Sequence, residues 1–248
     1  MAIWVIGDLH LAVAVPDKDM AVFGPAWEGY MERMAAAWKG CVGEKDLVLL
    51  PGDISWAMRP EEARVDLEWI ERLPGTKVMI RGNHDYWWSS LSKVKKVLPP
   101  SLHVVQNDAF QWEDGAIAGA RLWDTDEYRF DALIERRENP RERRSEEAED
   151  KSELIFQREL NRLELSLQAL DPKAKWKIAM THYPPIGLDL APSRASQLLE
   201  KYGVDTCVFG HLHNVPPGKA PFGTARGVTY HLTSADYLEF RPQLIKES

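Results

Sequence analysis

Five short apolar runs, each followed by a turn of polar residues, constrain the fold of this chain more than any other feature. They lie at residues 3–6, 47–50, 78–80, 176–180 and 207–209. Runs of this length, bounded by nearby Gly or Pro, are typical of buried strands. Because helical patterns separate the runs, the sequence predicts an α/β fold, in which ligands bind beyond the carboxyl ends of the strands.

Three of the intervening segments have helical periodicity. Apolar side chains recur at steps of four and three from Trp27 to Cys41, which gives one apolar face. The segment at 60–75 opens with a proline and closes with Pro-Gly, as helices commonly do. The spacing of the apolar residues between 156 and 170 predicts a further helix that begins near Ser152.

Residues 131–150 interrupt the alternation of strands and helices with five arginines and eight acidic residues. Such a run is usually solvated surface, and a mobile flap near the functional site is the alternative interpretation. We expect one domain over residues 1–248, with a charged insertion at about 125–152.

Composition excludes several classes of protein. A net charge of −7 argues against extended nucleic-acid binding, because phosphate backbones are bound by clustered Lys and Arg. No apolar run approaches the roughly 18 residues of a membrane span, and the N-terminus does not resemble a signal peptide. The two cysteines are too few for a disulfide framework. We therefore expect a cytoplasmic protein without a membrane partner, and nothing indicates its oligomeric state.

The turns after the apolar runs carry side chains that bind divalent metals. They hold five of the seven histidines, and the full set is Asp8, His10, Asp53, Asn83, His84, His182, His211 and His213. Oxygen donors mixed with imidazoles suit Mn, Fe, Zn or similar ions better than Ca. The set is too large for one tetrahedral ion and suits two ions that share a carboxylate. Two-metal sites clamp the attacking and leaving oxygens of a phosphoryl transfer, so a small phosphorylated substrate is the expected partner.

The motifs DLH, GD, GNHD, the single His of THYPP, and GHLH, in this order, resemble the calcineurin-like metallophosphoesterase superfamily. The match runs from Asp8 to His213, and the residues around the motifs are most similar to uncharacterised bacterial phosphohydrolases. The resemblance implies a four-layer αββα sandwich with two mixed β-sheets and the metals at one sheet edge. It also implies a hydrolase that cleaves a phosphoester by attack of a metal-bridging hydroxide.

The resemblance further implies a role for each site residue. The first metal would be bound by Asp8, His10, Asp53 and His213, and the second by Asp53, Asn83, His182 and His211. Asp53 would bridge the two ions. His84 would contact the phosphate, and Asp85 would orient His84 or serve only as a residue at the start of the next helix.

Departures from subfamily patterns narrow the substrate class. Trp56 occupies the place of the tyrosine in iron–tyrosinate phosphatases, Leu11 and residues 54–56 differ from protein Ser/Thr phosphatases, and His84 differs from lipid-A-pathway hydrolases. The small phosphoesterases remain, and among their activities we favour phosphodiester hydrolysis for this chain. A nuclease component of a larger complex and a non-catalytic metal- or nucleotide-binding scaffold are the alternatives.

Three aromatic residues are candidate substrate contacts, namely Trp56, Trp88 and Tyr183. Aromatic rings beside a phosphate site can stack on a nucleobase or another flat group. They can also pack against the turns and hold the ligands in place. Of the adjacent Trp87 and Trp88, we expect one to be packed in the core and the other to face the cleft.

Overall fold

The computed structural model describes residues 1–18, 20–133, 146–216, 218 and 220–247. Its strands are β1 (Ala2–Val5), β2 (Leu47–Leu50), β3 (Thr76–Met79), β4 (Leu102–Val104), β5 (Phe110–Trp112), β6 (Gly115–Ala120), β7 (Trp176–Thr181), β8 (Thr206–Phe209), β9 (Thr224–Ala225), β10 (Val228–Leu232) and β11 (Gln243–Glu247). The α-helices are α1 (Tyr30–Cys41), α2 (Pro60–Glu71), α3 (Leu91–Lys95), α4 (Glu146–Gln168) and α5 (Arg194–Lys201).

The strands form two mixed sheets. The first has the order β11-β1-β2-β3-β4, and all its pairs are parallel except β1 with β11. The second has the order β5-β6-β7-β8-β10-β9, in which β5 and β9 run antiparallel to their neighbours. The carboxyl ends of the parallel strands in each sheet therefore lie along one edge.

The sheets pack face to face, with helices on their outer faces. Val5, Leu49 and Val78 of the first sheet meet Ile117 and Met180 of the second in a central apolar layer. The first sheet also packs against α1 and α2, and the second against α4 and α5. Strands that are covered on both faces must be apolar at successive positions, which is why they appear as continuous apolar runs. This is the αββα arrangement that the resemblance implies, and the predicted fold class is confirmed.

The predicted helices form, with shifted boundaries. Met34 and Trp38 of α1 are fully buried, and α2 begins at Pro60 as expected. The helix α4 begins at Glu146 and not near Ser152. Residues 134–145 of the predicted charged insertion lie outside the described residues. In the part of the chain that the structure describes, no helix is both long and apolar enough to cross a bilayer.

The strand β6 escaped the sequence analysis because its residues are small. Its sequence is GAIAGA, and all six residues are buried. Small residues are needed here, since a Cβ atom on Gly115 would lie 1.9 Å from the ring of Trp176. The strand lies between β5 and β7 in the second sheet, but its small side chains do not form a conspicuous apolar run.

Candidate metal centre

The predicted ligands are brought together at the carboxyl edge of the two sheets. Asp8 and His10 follow β1, Asp53 follows β2, Asn83 follows β3, His182 follows β7, and His211 and His213 follow β8. Two groups have their ligand atoms within 4.8 Å of one another: Asp8, His10 and His213, and Asp8, Asp53 and His182. The first group corresponds to three of the four ligands predicted for the first metal.

Asp53 links His10 of the first group to His182 of the second, and Asn83 links His182 to His211. The Oδ2 atom of Asp53 lies 3.7 Å from His10 Nε2 and 3.4 Å from His182 Nε2. The Oδ1 atom of Asn83 lies 2.6 Å from His182 Nε2 and 3.1 Å from His211 Nδ1. Asp53 thus occupies the position between two ligand sets that a bridging carboxylate requires.

Several of the ligands have unusual backbone conformations. The φ angles of Asp8, His10, Asp53 and His211 are 55°, 45°, 53° and 71°, in the left-handed region that residues with a Cβ atom rarely adopt. Hydrogen bonds between the turns hold these conformations, including Asp8 N–H to the Gly52 carbonyl at 3.0 Å. Backbone strain of this kind is concentrated at functional sites, where the surrounding structure enforces it.

Two glycines in the motifs make room for the carboxylates. A Cβ atom on Gly82 would lie 2.1 Å from Asp53 Oδ1, and one on Gly210 would lie 2.1 Å from Asp8 Oδ2. Each of these glycines sits one residue before a predicted metal ligand. The glycines of GNHD and GHLH are therefore explained by sterics at the site.

Burial controls the protonation of the ligands. It raises the pKa of Asp8 to about 7 and also raises that of Asp53. It lowers the pKa of His182 to about 3 and holds those of His10 and His211 well below their usual value. The imidazoles of His10, His182 and His211 are thus kept neutral, the form that binds metals. Buried carboxylates close to one another are stabilised in their ionised form by a cation, so this donor set fits two divalent metal ions.

Comparison with known proteins agrees with this geometry. The model of the calcineurin-like phosphoesterase family matches residues 1–215. The chain belongs to the calcineurin-like phosphoesterase family. It is therefore a metallophosphoesterase, an enzyme of a metal-dependent hydrolase family.

Individual relatives of this phosphoesterase are distant or partial. It is 36% identical over 84 residues to the Gene 66 protein of Mycobacterium phage D29, a match that covers 34% of this chain and 40% of the phage protein. A protein of unknown function from Aquifex aeolicus has a TM-score of 0.51, and the phosphopantetheinyl hydrolase of Mycobacterium tuberculosis has one of 0.53. Both are 14% identical, and each alignment covers 98% of this chain and 95% of the other. At this identity they show the shared fold alone.

Asp236 is a carboxylate of the phosphoesterase site that was not predicted from the sequence. Its Oδ1 atom accepts a hydrogen bond from His213 Nδ1 at 2.9 Å, and its Oδ2 accepts one from the backbone N–H of Asn214 at 2.9 Å. Burial lowers the pKa of His213, but Asp236 and Asp8 outweigh it and raise the pKa to about 9. Asp236 follows β10, and the alternating residues 228–232 were the available signal.

We expect Asp236→Asn to weaken metal binding roughly tenfold, because an outer partner of a metal-binding histidine fixes its ring and raises its basicity. The measurement is activity against manganese concentration after removal of bound metal. The matched control is Asp171→Asn, which removes an exposed carboxylate that accepts one backbone N–H. An unchanged manganese dependence in Asp236→Asn would show that this carboxylate does not act on His213.

Asp85 makes no hydrogen bond to His84, so the first of its two predicted alternatives, orienting His84, has no direct contact behind it. Its carboxylate instead accepts hydrogen bonds from the backbone N–H groups of Ile54, Ser55 and Gly82 and from Trp87 Nε1. Among the described residues, His84 Nδ1 is buried without a hydrogen-bond partner. Four donors occupy the oxygens of Asp85, so this residue joins the turns after β2 and β3.

The aromatic candidates take different positions. Trp56 is half-buried, stacks on His10 with ring centroids 5.1 Å apart, and lies 4.6 Å from the ring of His84. Tyr183 is buried and packs against His211 at 3.9 Å between centroids. Trp56 therefore stays a candidate substrate contact, and Tyr183 supports a ligand.

The expectation that one of two adjacent tryptophans faces the cleft is wrong. Trp87 is 0% exposed and Trp88 is 1% exposed. The indole N–H of Trp87 is held by Asp85, and that of Trp88 donates to Gln106 Oε1 at 2.8 Å. Because both indoles find partners inside the protein, both are packed, and only 1% of Trp88 is exposed.

Proposed function

We propose that this phosphoesterase hydrolyses phosphodiesters with two divalent metal ions held by its seven Asp, Asn and His ligands. The observation that carries this proposal is a pair of Asp/His groups that share Asp8, together with the position of Asp53 Oδ2, which lies 3.7 Å from His10 Nε2 and 3.4 Å from His182 Nε2. Two divalent cations at such ligands polarise phosphoryl oxygens and make a water molecule acidic enough to act as the nucleophile.

The ligand turns also position His84. Its backbone N–H donates to Asp53 Oδ1 at 2.8 Å, which ties the position of His84 to that of the bridging carboxylate. Its imidazole ring lies 5.7 Å from the ring of His10 and is half-buried. An imidazole at this place can donate a hydrogen bond to a phosphoryl oxygen or a proton to the leaving oxygen.

Trp56 supports the preference for diesters. A phosphodiester has two organic substituents, so its second substituent needs a surface beside the reacting phosphate. The half-buried indole of Trp56 next to His84 provides an apolar surface there. Lys18 lies 5.1 Å from the centroid of the same ring and adds positive charge for an anionic substrate.

The test compares bis-p-nitrophenyl phosphate with p-nitrophenyl phosphate in the presence of manganese. We expect faster turnover of the diester and loss of both activities in EDTA. His84→Ala should lower kcat/KM for the diester roughly 10²-fold, because a positioned acid or hydrogen-bond donor is lost. His103→Ala is the matched control, since this half-buried histidine lies on β4 and outside the site.

The outcomes separate the alternatives. A metal-dependent rate that favours the monoester would contradict the diester preference and leave the family chemistry in place. The absence of turnover with any divalent metal, in protein that binds two ions, would favour the non-catalytic scaffold or a partner-dependent nuclease.

A further inference from the structure

A small cleft with three arginines lies beside the metal ligands and has no part in the function proposed above. It encloses about 80 Å³ of solvent-accessible space. We call it the arginine cleft, and its charged lining residues are Arg81, Arg121, Glu159 and Arg162. Arg81 and Arg121 follow β3 and β6, and the other two residues lie on α4.

The arginine cleft concentrates positive charge. The buried carboxylate of Glu159 accepts a hydrogen bond from Arg121 Nη2 at 3.1 Å and one from Arg162 Nη1 at 2.6 Å. Asp85 also attracts Arg81, but its oxygens already accept four hydrogen bonds. Three guanidinium groups thus share one carboxylate of the cleft, in a chain whose net charge is −7.

Two N–H groups of the cleft need an acceptor. The Nε atoms of Arg81 and Arg121 are buried and have no hydrogen-bond partner among the residues that the structure describes. Buried donors are nearly always satisfied in folded proteins. The Arg121 guanidinium also stacks on the ring of Trp123, with its Cζ atom 4.6 Å from the ring centroid, and this contact fixes its orientation. Fixed guanidinium groups match the oxygens of a phosphoryl group, which can accept several N–H donors at once.

The arginine cleft is close to the metal ligands along the backbone. Arg81 precedes Asn83 by two residues, so their Cα atoms are at most about 7 Å apart. The carbonyl oxygen of Arg121 accepts the backbone N–H of His182 at 3.1 Å. A substrate with one phosphoryl group at the metal ligands therefore has its next substituents near the cleft.

We propose that the arginine cleft binds a second phosphoryl group of the substrate, one that is not hydrolysed. This inference rests on the proposed function and assigns a substrate class to it. The substrate is a phosphodiester with a phosphate monoester a few bonds away, as in a nucleoside esterified at one hydroxyl and phosphorylated at another. The second phosphoryl group is bound by the guanidinium groups of Arg81, Arg121 and Arg162, which line the cleft.

The test uses two chromogenic esters that differ only in this group. They are thymidine 5′-(p-nitrophenyl phosphate) with and without a phosphate on the 3′-hydroxyl. In the native protein loaded with manganese, we expect the 3′-phosphate to raise kcat/KM roughly tenfold or more, which is typical for charge-assisted bonds to a phosphate. In Arg162→Ala and Arg81→Lys, the ratio of the two kcat/KM values should fall towards one.

The matched control is Arg158→Ala. Arg158 is exposed on the same helix, one turn before Arg162, and does not line the cleft. This variant should keep the native ratio. Arg162 is about half-exposed, and Glu159 keeps its hydrogen bond from Arg121 when Arg162 is replaced, so the test does not depend on the more buried Arg81.

Three results would overturn the inference. The first is equal kcat/KM values for the two esters in the native protein, and the second is a ratio of these values that the cleft variants do not change. The third is binding of inorganic phosphate in the cleft without a preference between the esters. The last would identify free phosphate as the occupant. If neither ester is hydrolysed, the proposed function fails, and the ratio of their dissociation constants tests the cleft separately. A ratio near one would then overturn the inference, and an arginine-dependent preference for the 3′-phosphate would support it.

Discussion

Replacing Asp53 with Asn is expected to lower kcat/KM for bis-p-nitrophenyl phosphate by roughly 10³-fold or more, because charge stabilisation in the transition state depends on both cations. Asp53 is the carboxylate between the two ligand groups, with Oδ2 at 3.7 Å and 3.4 Å from His10 and His182. Asn preserves the size of the side chain and an oxygen for the His84 N–H. It removes the negative charge that two cations would share.

The same variant separates loss of metal from loss of fold. Burial raises the pKa of Asp53, so its ionised form destabilises the metal-free protein at neutral pH. In EDTA, Asp53→Asn should therefore unfold at the same temperature as the native protein or higher. Added manganese should raise the Tm of the native protein more than that of the variant, since binding to the folded state alone stabilises it.

Asp46→Asn is the matched control for this substitution. Asp46 also accepts several hydrogen bonds, from Ala2, Trp4 and Gly43, but it lies before β2 and away from the ligand turns. We expect its activity to be close to native. An Asp53→Asn protein that keeps activity within tenfold of native, at the same metal content, would contradict a shared carboxylate.

Replacing Gly82 with Ala is expected to destabilise the protein by about 1–3 kcal/mol, the usual cost of overpacking, and to remove most of its activity. The added Cβ atom would lie 2.1 Å from Asp53 Oδ1 and 2.2 Å from the Asp53 backbone nitrogen. A backbone atom cannot turn away as the end of a long side chain can. The turns after β2 and β3 must therefore separate, and the Asp53 carboxylate moves with them.

Gly40→Ala is the control for the glycine substitution. Gly40 lies in α1, and a Cβ atom there would meet nothing within 4 Å. Alanine is favoured over glycine in a helix by about 1 kcal/mol, so this variant should be as stable as the native protein or more so. Thermal unfolding and metal content would be measured for both variants. Native stability and full metal content in Gly82→Ala would contradict the steric explanation.

The α/β class and the ligands could be predicted because each ligand directly follows a strand. An apolar run buried on both faces is visible in the sequence, and its carboxyl end is fixed at an edge of the sheet. The strands β1, β2, β3, β7 and β8 were predicted in this way, and their ligands followed. Among the strands that were missed, β6 has small residues and β10 lies outside every motif.

Contacts between distant segments could be predicted only where the family resemblance implied them. It implied one metal for His10 and His213, whose Nε2 atoms lie 3.3 Å apart although the residues are separated by 203 positions in the chain. The partner of Asp85 was predicted from adjacency to His84, but its oxygens were taken by N–H groups of the turn after β2. Burial of Trp88 likewise depends on Gln106, which approaches only when β4 joins the sheet.

The sequence by itself determined which residues can bind the metals, since ligand chemistry and strand ends are both local properties of the chain. Tertiary structure decided which atoms of these residues meet, through the left-handed turns and the glycines that admit Asp8 and Asp53. It also decided that Asp236 holds His213 and that three arginines gather beside the site. These features depend on how the two sheets face each other, which is a property of packing and not of any single segment.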